Sequence, residues 1–350
     1  MKIIPAKSTD KKIWNSFVRE QYPPIGAFMQ TWEWGEFKQD WGKKISRFLI
    51  KKNNSLIAVF MLAEHDLFLG LKYGYVPRGP VIDKNYLTEE KIALILKTIE
   101  VWTKKEFPNF VFLRLEPPIV DRKILNELSS KKFAFPKYYT QPRFNLALDL
   151  DQNEAEILAS FHPSTRSNLN RAERRGVTFE LRNPIQKNDQ KQFWELAKDT
   201  IDRNSGKNLY PPKPYFASLF KILKPFKKNS SPRELFIGAF CGFQYGKPAA
   251  IHYVLFFGKT ATYLYGASST ECLKSKVTTY LHWHAALEAK KCGFKYYDLG
   301  GIDEKLWPSI TTFKRQFGGR EFSYIGLLDI PIKPTWYRLF NFIKKLKSFY

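Results

Sequence analysis

The chain has 350 residues, 44% of them hydrophobic and 16% aromatic, and 57 Lys and Arg stand against 33 Asp and Glu for a formal charge of +24. That length exceeds what one core usually serves, the apolar content excludes a disordered chain, and the basic balance calls for an anionic partner: nucleic acid, a nucleotide-bearing substrate or anionic lipid. Apolar runs such as 56–63 and 253–257 fall short of the ~20 residues that span a bilayer, residues 1–15 lack a secretory signal's apolar stretch, which predicts a cytoplasmic protein, and Cys241, Cys272 and Cys292, odd in number and without CxxC spacing, suggest neither disulfides nor zinc.

In chain order, residues 46–65 (SRFLIKKNNSLIAVFMLAEH) read as two strands across an Asn-Asn turn, and 72–82 as a strand running into a Pro-Gly loop. A helix is expected over 88–107, with Thr88 as N-cap, glutamates in the first turn, and Ile92, Leu94, Ile95, Ile99 and Trp102 at roughly helical spacing. The strand 110–117 follows. A helix-rich stretch comes next: 153–160, then a short helix that Pro163 starts and Gly176 ends, crowded with Arg166, Arg171, Arg174 and Arg175. Residues 210–215 (YPPKPY) read as a rigid loop.

The first order then returns. Residues 233–258 form a hairpin around Gly246, 261–269 a strand, about 278–291 a helix, and 294–301 (FKYYDLGG) a strand. Hairpin, strand, loop, helix, strand, twice over, predicts two copies of one α/β module. The chain closes on a basic, aromatic helix over 334–350, with no linker or low-complexity tract between the modules.

This module order resembles that of acyl-CoA N-acyltransferase-like (GNAT) folds, in which a central strand splits from its neighbour. The expected class is α/β of the mixed α+β kind: two tandem GNAT-like domains packed as one body. Residues 1–148 would form the first, completed by the helix 334–350, and residues 149–333 the second. Coenzyme A enzymes of this fold wrap a pyrophosphate with an RxxGxG/A loop at a helix N-terminus. The matching loops here, GPVIDKNYLTEE (79–90) and ECLKSKVTTYLH (271–282), lack that glycine pattern, which disfavours a coenzyme A donor.

Five motifs occur in order along the chain: QTWEWGEFKQDWG (30–42), YVPRGPV (75–81), STRSNLNRAERRGV (164–177), YDLGGI (297–302) and FKRQFGG (313–319). Together they resemble the FemABX family of peptidyltransferases. No sustained heptad run is present, so the resemblance is to the armless, FemX-like type rather than to members with a coiled-coil arm. It implies a tRNA-dependent aminoacyltransferase that adds an amino acid to the stem peptide of a peptidoglycan precursor, building the interpeptide bridge of the cell wall. The implied partners are aminoacyl-tRNA and either UDP-MurNAc-pentapeptide or lipid II. The implied protein is a monomer that needs no metal and no cofactor, because aminolysis of an ester requires only a deprotonated amine, close approach and charge stabilisation. The rivals are an acyl-CoA N-acyltransferase and a non-catalytic RNA-binding protein.

The resemblance also implies roles for residues. Lys314, after Phe313 in FKRQFGG, would face the tRNA acceptor end and the reacting ester; its alternative is a solvated lysine. Lys38, eight residues after Gln30 and preceded by Trp34 and Gly35, would hold the diphosphate or muramyl part of the acceptor, or else lie on a helix surface. Arg78, between Pro77 and Pro80, would touch acceptor phosphate or brace its loop. Tyr215 and Tyr265 would line the acceptor groove or pack in the core. The family's arginine four residues before Tyr215 is Pro211 here, which leaves Lys213 or Arg203 to substitute. Glu116 would orient or deprotonate the amine, or pair with Arg114 or Arg78. Asp298 would hold the loop at Gly300 and Gly301 or contact the amine. The arginine-rich helix would bind tRNA phosphates or be a solvated face. The terminal helix, with Trp336, Leu339, Phe340, Ile343 and Leu346 beside Lys344, Lys345 and Lys347, would lie on an anionic membrane as a peripheral contact or pack on its own domain.

Overall fold

The computed structural model describes residues 1–347 except 121–122, 125–127, 129–132, 137, 209 and 228–231, and side chains as far as Lys344. The chain divides into two units: Met1–Pro23, Met29–Arg143 and Ser323–Tyr350 form one, Pro24–Phe28 and Phe144–Phe322 the other. These boundaries differ from those expected. The strand at 144–149 goes with the second unit and residues 323–333, with the strand 328–331, go with the first, because strand pairing and not chain order assigns them; the short segment 24–28 also goes with the second.

The first unit holds β1 (Lys2–Pro5), α1 (Lys11–Gln21), α2 (Trp32–Asp40), β2 (Ile45–Lys52), β3 (Ser55–Asp66), β4 (Lys72–Val76), β5 (Val81–Ile82), α3 (Glu89–Glu106) and β6 (Phe110–Leu115). Its sheet runs β1, β2, β3, β4, β6 and a late strand, β15 (Leu328–Pro331), with β5 on β3. Asn53 and Asn54 have φ of 48° and 63°, the left-handed pair that a two-residue hairpin requires. α3 lays Ile92, Ile95, Leu96 and Ile99 on Phe60, Leu62, Phe110 and Leu113. Leu94, expected on that face, is 52% exposed, because it is a single step off the three-and-four spacing that the other four keep.

The second unit holds β7 (Phe144–Asp149), α4 (Glu154–Ala159), α5 (Pro163–Arg174), β8 (Val177–Arg182), α6 (Lys187–Arg203), α7 (Lys213–Ile222), β9 (Lys224–Pro225), β10 (Phe236–Gln244), β11 (Lys247–Phe257), β12 (Thr260–Ser268), α8 (Val277–Lys291), β13 (Tyr296–Ile302), α9 (Pro308–Arg315) and β14 (Arg320–Ser323). Its sheet runs β14, β7, β13, β12, β11, β10, β8, with β9 on β10. The stretch read as helix-rich therefore also supplies a strand, β8. Asn153 caps α4 by accepting from Glu156 N at 2.9 Å, Pro163 sits in the first turn of α5, and Gly176 at φ 66° follows its end, as the residue types require. The rigid loop expected at 210–215 is corrected in part: Pro212 is the N-cap of α7, and Lys213, Pro214 and Tyr215 are its first turn, where prolines forfeit no hydrogen bond. α8 buries nine residues against this sheet, among them Leu281, Ala285, Ala286 and Ala289.

The terminal helix, α10 (Pro334–Lys347), packs within the first unit. Phe340 lies 4.9 Å from Phe112, Trp336 5.6 Å from Phe68, and Tyr337 donates to Asp329 at 2.9 Å. Leu339 and Phe342 face outward. The side chains of Lys345, Leu346 and Lys347 lie outside the described residues.

Candidate active site

In the second unit β12 and β13 are parallel neighbours, yet their pairing covers only Thr260–Thr262 against Tyr296–Asp298. Beyond it β12 continues to Ser268 along β11, past a register break at Tyr253 and Val254, while β13 follows β7 through its own break between Asp298 and Gly300. Bulges of this kind re-aim a strand. Where the two strands part lies a cavity of about 340 Å³, lined among others by Tyr265, Ser268, His252, His282, Phe313 and Lys314.

Lys314 enters this cavity from the last turn of α9. Thr311 and Lys314, three apart and so on one side of the helix, are its buried residues. The ammonium donates to Gly301 O at 2.7 Å, and a lysine 8% exposed is not the solvated one that composition alone would favour. Burial draws its pKa down to about 8, against the opposing pull of the Asp298 carboxylate. Asp298, 1% exposed, accepts from Gly300 N at 2.8 Å and from Asn145 Nδ2 at 3.3 Å. Gly300 has φ 86°, and a Cβ there would stand 3.4 Å from Lys314 Nζ. The YDLGG motif thus forms a bulge within β13 that brings a carbonyl and a carboxylate to one lysine.

Tyr265 lines the same cavity and its hydroxyl donates to Tyr215 OH at 3.2 Å. Arg203 reaches Ser268 Oγ at 2.9 Å, Thr270 Oγ1 at 2.7 Å and Thr200 Oγ1 at 3.2 Å, and Ser268 and Thr200 belong to the cavity wall. Lys213 lies over the Trp194 ring at 5.7 Å. Of the two possible substitutes for the family's arginine, Arg203 is the one tied to the cavity.

Sequence reasoning missed the cavity's histidines. His252 and His282 are each 1% exposed, with ring centroids 4.4 Å apart. Burial holds His252 down to about 3, and burial, His252 and Lys314 together hold His282 far below the ordinary range, so both are neutral. The signal was present: a histidine inside the apolar run of β11, and another in HWH on a helix otherwise rich in Ala and Leu.

The other expected site residues fall in the first unit. Lys38 lies over the rings of Phe37, Trp34 and Trp41 at 4.8, 5.0 and 5.3 Å, and burial, helped by the Lys43 cation, brings its pKa to about 8. Gly35, in the same helix, leaves room for the Arg47 guanidinium and Met61 Sδ, which a Cβ there would displace. Gln30 donates to Pro77 O at 2.5 Å, joining the QTWEWG and YVPRGP motifs. Arg78 is 4% exposed at φ 51°; its guanidinium donates to Pro142 O at 2.6 Å and lies over Tyr324 at 4.9 Å. Glu116 accepts from Tyr75 OH at 2.5 Å, Gln141 N at 3.1 Å and Arg78 N at 3.4 Å. Its expected ionic partner Arg114 is instead bidentate to Asp329 at 2.7 and 2.8 Å.

The arginine helix α5 divides. Arg166 donates to the carbonyls of Ala159 and Phe161, and Arg175 to that of Lys274, so these two close neighbouring segments. Arg171 and Arg174 are exposed. Among the described residues no three His, Cys, Asp or Glu are grouped to hold a metal, and no helix is long and apolar enough to cross a membrane.

A repeated mixed sheet with a parted parallel pair defines a tandem GNAT-like protein. The fold is shared with the tandem GNAT protein of the clavulanic acid biosynthesis pathway, at TM-score 0.55 and 9% identity over 95% of this chain and 98% of that one. The chain belongs to the FemAB family, whose pattern matches residues 9–134, 125–224 and 244–345. A crystal structure of FemX superposes at TM-score 0.78 and 20% identity, covering 97% of this chain and 99% of that chain, which agrees with the armless type. Lipid II:glycine glycyltransferases are similar as well: that of Staphylococcus aureus (strain USA300) is 23% identical over 402 residues, 94% of this chain and 93% of its own, and that of Staphylococcus haemolyticus (strain JCSC1435) 23% over 395, 92% of each.

Proposed function

We propose that this chain is a tRNA-dependent aminoacyltransferase that adds an amino acid to the stem peptide of a peptidoglycan precursor. The observation that carries the reading is Lys314, a buried cation at a cavity where two parallel strands part, in a chain of the FemAB family. The stem-peptide amine attacks the ester carbonyl of aminoacyl-tRNA. The carbonyl's π pair moves to oxygen, the ester C–O bond then breaks, and the proton shed by the amine goes to the departing ribose oxygen. Lys314 stabilises the charge that develops on oxygen, and a desolvated cavity makes that interaction stronger than water would allow.

Phe313 shares the cavity with Lys314 and takes the tRNA end together with it. Tyr215, Tyr265 and Arg203 serve the acceptor, as do Lys38, Trp34 and Arg78 of the first unit. Arg171 and Arg174 meet tRNA phosphates, which requires that affinity weaken with salt. With a lipid-linked acceptor, the outward Leu339 and Phe342 of α10 give a peripheral membrane contact, checked by flotation on anionic vesicles before and after Phe342→Ser. The main experiment offers the protein a pool of radiolabelled aminoacyl-tRNAs with either UDP-linked or lipid-linked precursor and identifies the product by mass. Transfer to one of them is expected; transfer to neither, or transfer from an acyl-CoA instead, defeats the reading.

A further inference from the structure

His282, which lines the cavity, forms with Tyr297 a polar pair that the roles above leave idle. Tyr297, on β13, is fully buried, and among the described residues its hydroxyl has one hydrogen-bonding partner, His282 Nδ1 at 3.0 Å. A phenol so buried keeps its proton, because burial raises its pKa well above the ordinary value, and the proton needs an acceptor. Only the tautomer of His282 with a bare Nδ1 supplies one. The ring proton is then on Nε2, and His282 lines the cavity together with Lys314.

The ring is also held in orientation. His282 meets Tyr263 edge-on at 4.7 Å and Phe317 at 5.5 Å, with Phe313 at 5.9 Å. His252, on β11, lies 4.4 Å away, and among the described residues its buried Nδ1 has no hydrogen-bonding partner. Two elements, α8 and α9, thus present one neutral donor and one cationic donor to a single cavity. Such an arrangement suits an oxygen that gains charge during the reaction better than one charged throughout, because the neutral donor's bond strengthens as the charge develops.

We propose that His282 stabilises the oxyanion of acyl transfer through a neutral Nε2–H, beside the Lys314 ammonium. The assignment rests on the transferase reading above. As the amine nitrogen bonds to the ester carbon and the carbonyl π pair moves to oxygen, that oxygen takes hydrogen bonds from both donors. When the pair returns and the ribose oxygen leaves, His282 has neither gained nor lost a proton. Tyr297 is a positioning residue that fixes the tautomer.

The test has a spectroscopic arm and a kinetic arm. Long-range ¹H–¹⁵N correlation on the full chain labelled in histidine is expected to show His282 protonated at Nε2, and protonation at Nδ1 overturns the proposal. In single-turnover assays His282→Leu is expected to slow the chemical step about 10²- to 10³-fold while tRNA affinity holds, His282→Gln, which returns a donor, to recover about tenfold, and Tyr297→Phe to cost about three- to tenfold. Full activity in a folded His282→Leu protein overturns it. If that variant fails to fold, the tautomer and Tyr297→Phe decide. A wild-type protein inert toward every acceptor defeats the transfer reading itself, whereas an active wild type with an equally active His282→Leu defeats this assignment alone.

Discussion

In the first unit the parallel pair β4 and β6 stays together from Lys72 opposite Phe110 to Val76 opposite Leu115, with one irregularity between Lys72 and Gly74. In the second the corresponding pair, β12 and β13, parts after three residues. One module order has therefore been used in two ways. The end of the first pair is sealed: Glu116 N donates to Val76 O at 3.2 Å and to Gly79 O at 3.0 Å, and its carboxylate ties Tyr75, Arg78 N and Gln141 N. The end of the second pair is open, with the neutral His282 and the cation Lys314 on a cavity. Burial draws Lys38 of the first unit and Lys314 of the second to about 8, Lys38 with the Lys43 cation assisting and Lys314 with Asp298 in opposition, and it draws Lys344 of the first unit down likewise.

The sharpest way to break this contrast is to remove each cation. Lys314→Met should lower transfer at least about 10³-fold, the scale of losing a main charge-stabilising group, with tRNA binding and thermal unfolding otherwise retained; turnover near wild type would remove Lys314 from the chemistry. Lys38→Met should raise KM for the acceptor about ten- to hundredfold and change kcat much less, as loss of uniform binding does. Steady-state kinetics that show the reverse split would exchange the roles of the two units.

A pH titration sharpens the contrast further. Lys314 faces Asp298, which raises its pKa, and the neutral His282. If the ammonium is the active form, kcat falls above about pH 8, nearly tenfold per unit at the steep end, and Lys314→Arg shifts that limb upward. The stability effect has the opposite sign. The folded state releases this proton near 8 and the unfolded chain near 10.5, so between them the unfolded state binds more protons and unfolding free energy rises with pH. For a shift of this size the gain is on the order of 3 kcal/mol per buried lysine, and Lys314→Met should remove its share from denaturant midpoints measured between pH 8 and 10.

Much of the architecture was legible in the sequence because local signals agreed with the fold: the Asn53 and Asn54 turn, the Thr88 helix start, Pro163 and Gly176 around α5, and the returning module order. What was not legible depends on partners distant in sequence. The strands 144–149 and 177–182 join a sheet whose other members come later; the alternation in FNLALD and VTFELR was a strand signal passed over beside the stronger helix signals of Pro163 and Gly176. Lys314 was reached through a motif and Tyr265 through the family resemblance, and they share one cavity, whereas His252 and His282, 30 residues apart on a strand and a helix, become neighbours only through packing. Arg166 and Arg175 look identical to Arg171 and Arg174 as sequence, and differ because nearby carbonyls at the ends of other segments need donors.

The gentlest perturbation acts on the sealed end of the first unit. Glu116 was expected either to deprotonate the amine or to pair with an arginine. Its carboxylate instead accepts from a tyrosine hydroxyl and two backbone N–H groups, which is the bonding of a brace. Glu116→Gln keeps the shape and gives up the charge that shortens those bonds. It also places an NH₂ where one oxygen had accepted, so one backbone donor loses its partner. We expect a cost of about 1–2 kcal/mol in denaturant unfolding, the usual scale for a charge-assisted bond traded for a poorer one, with kcat changed less than about threefold. A general base behaves otherwise: its loss lowers kcat by about 10² or more and flattens the acid limb of the pH profile, with little effect on stability. Glu116→Gln therefore separates brace from base by which of the two measurements moves, and a large kcat loss at unchanged stability would give the sealed unit a share in the chemistry here assigned to the open one.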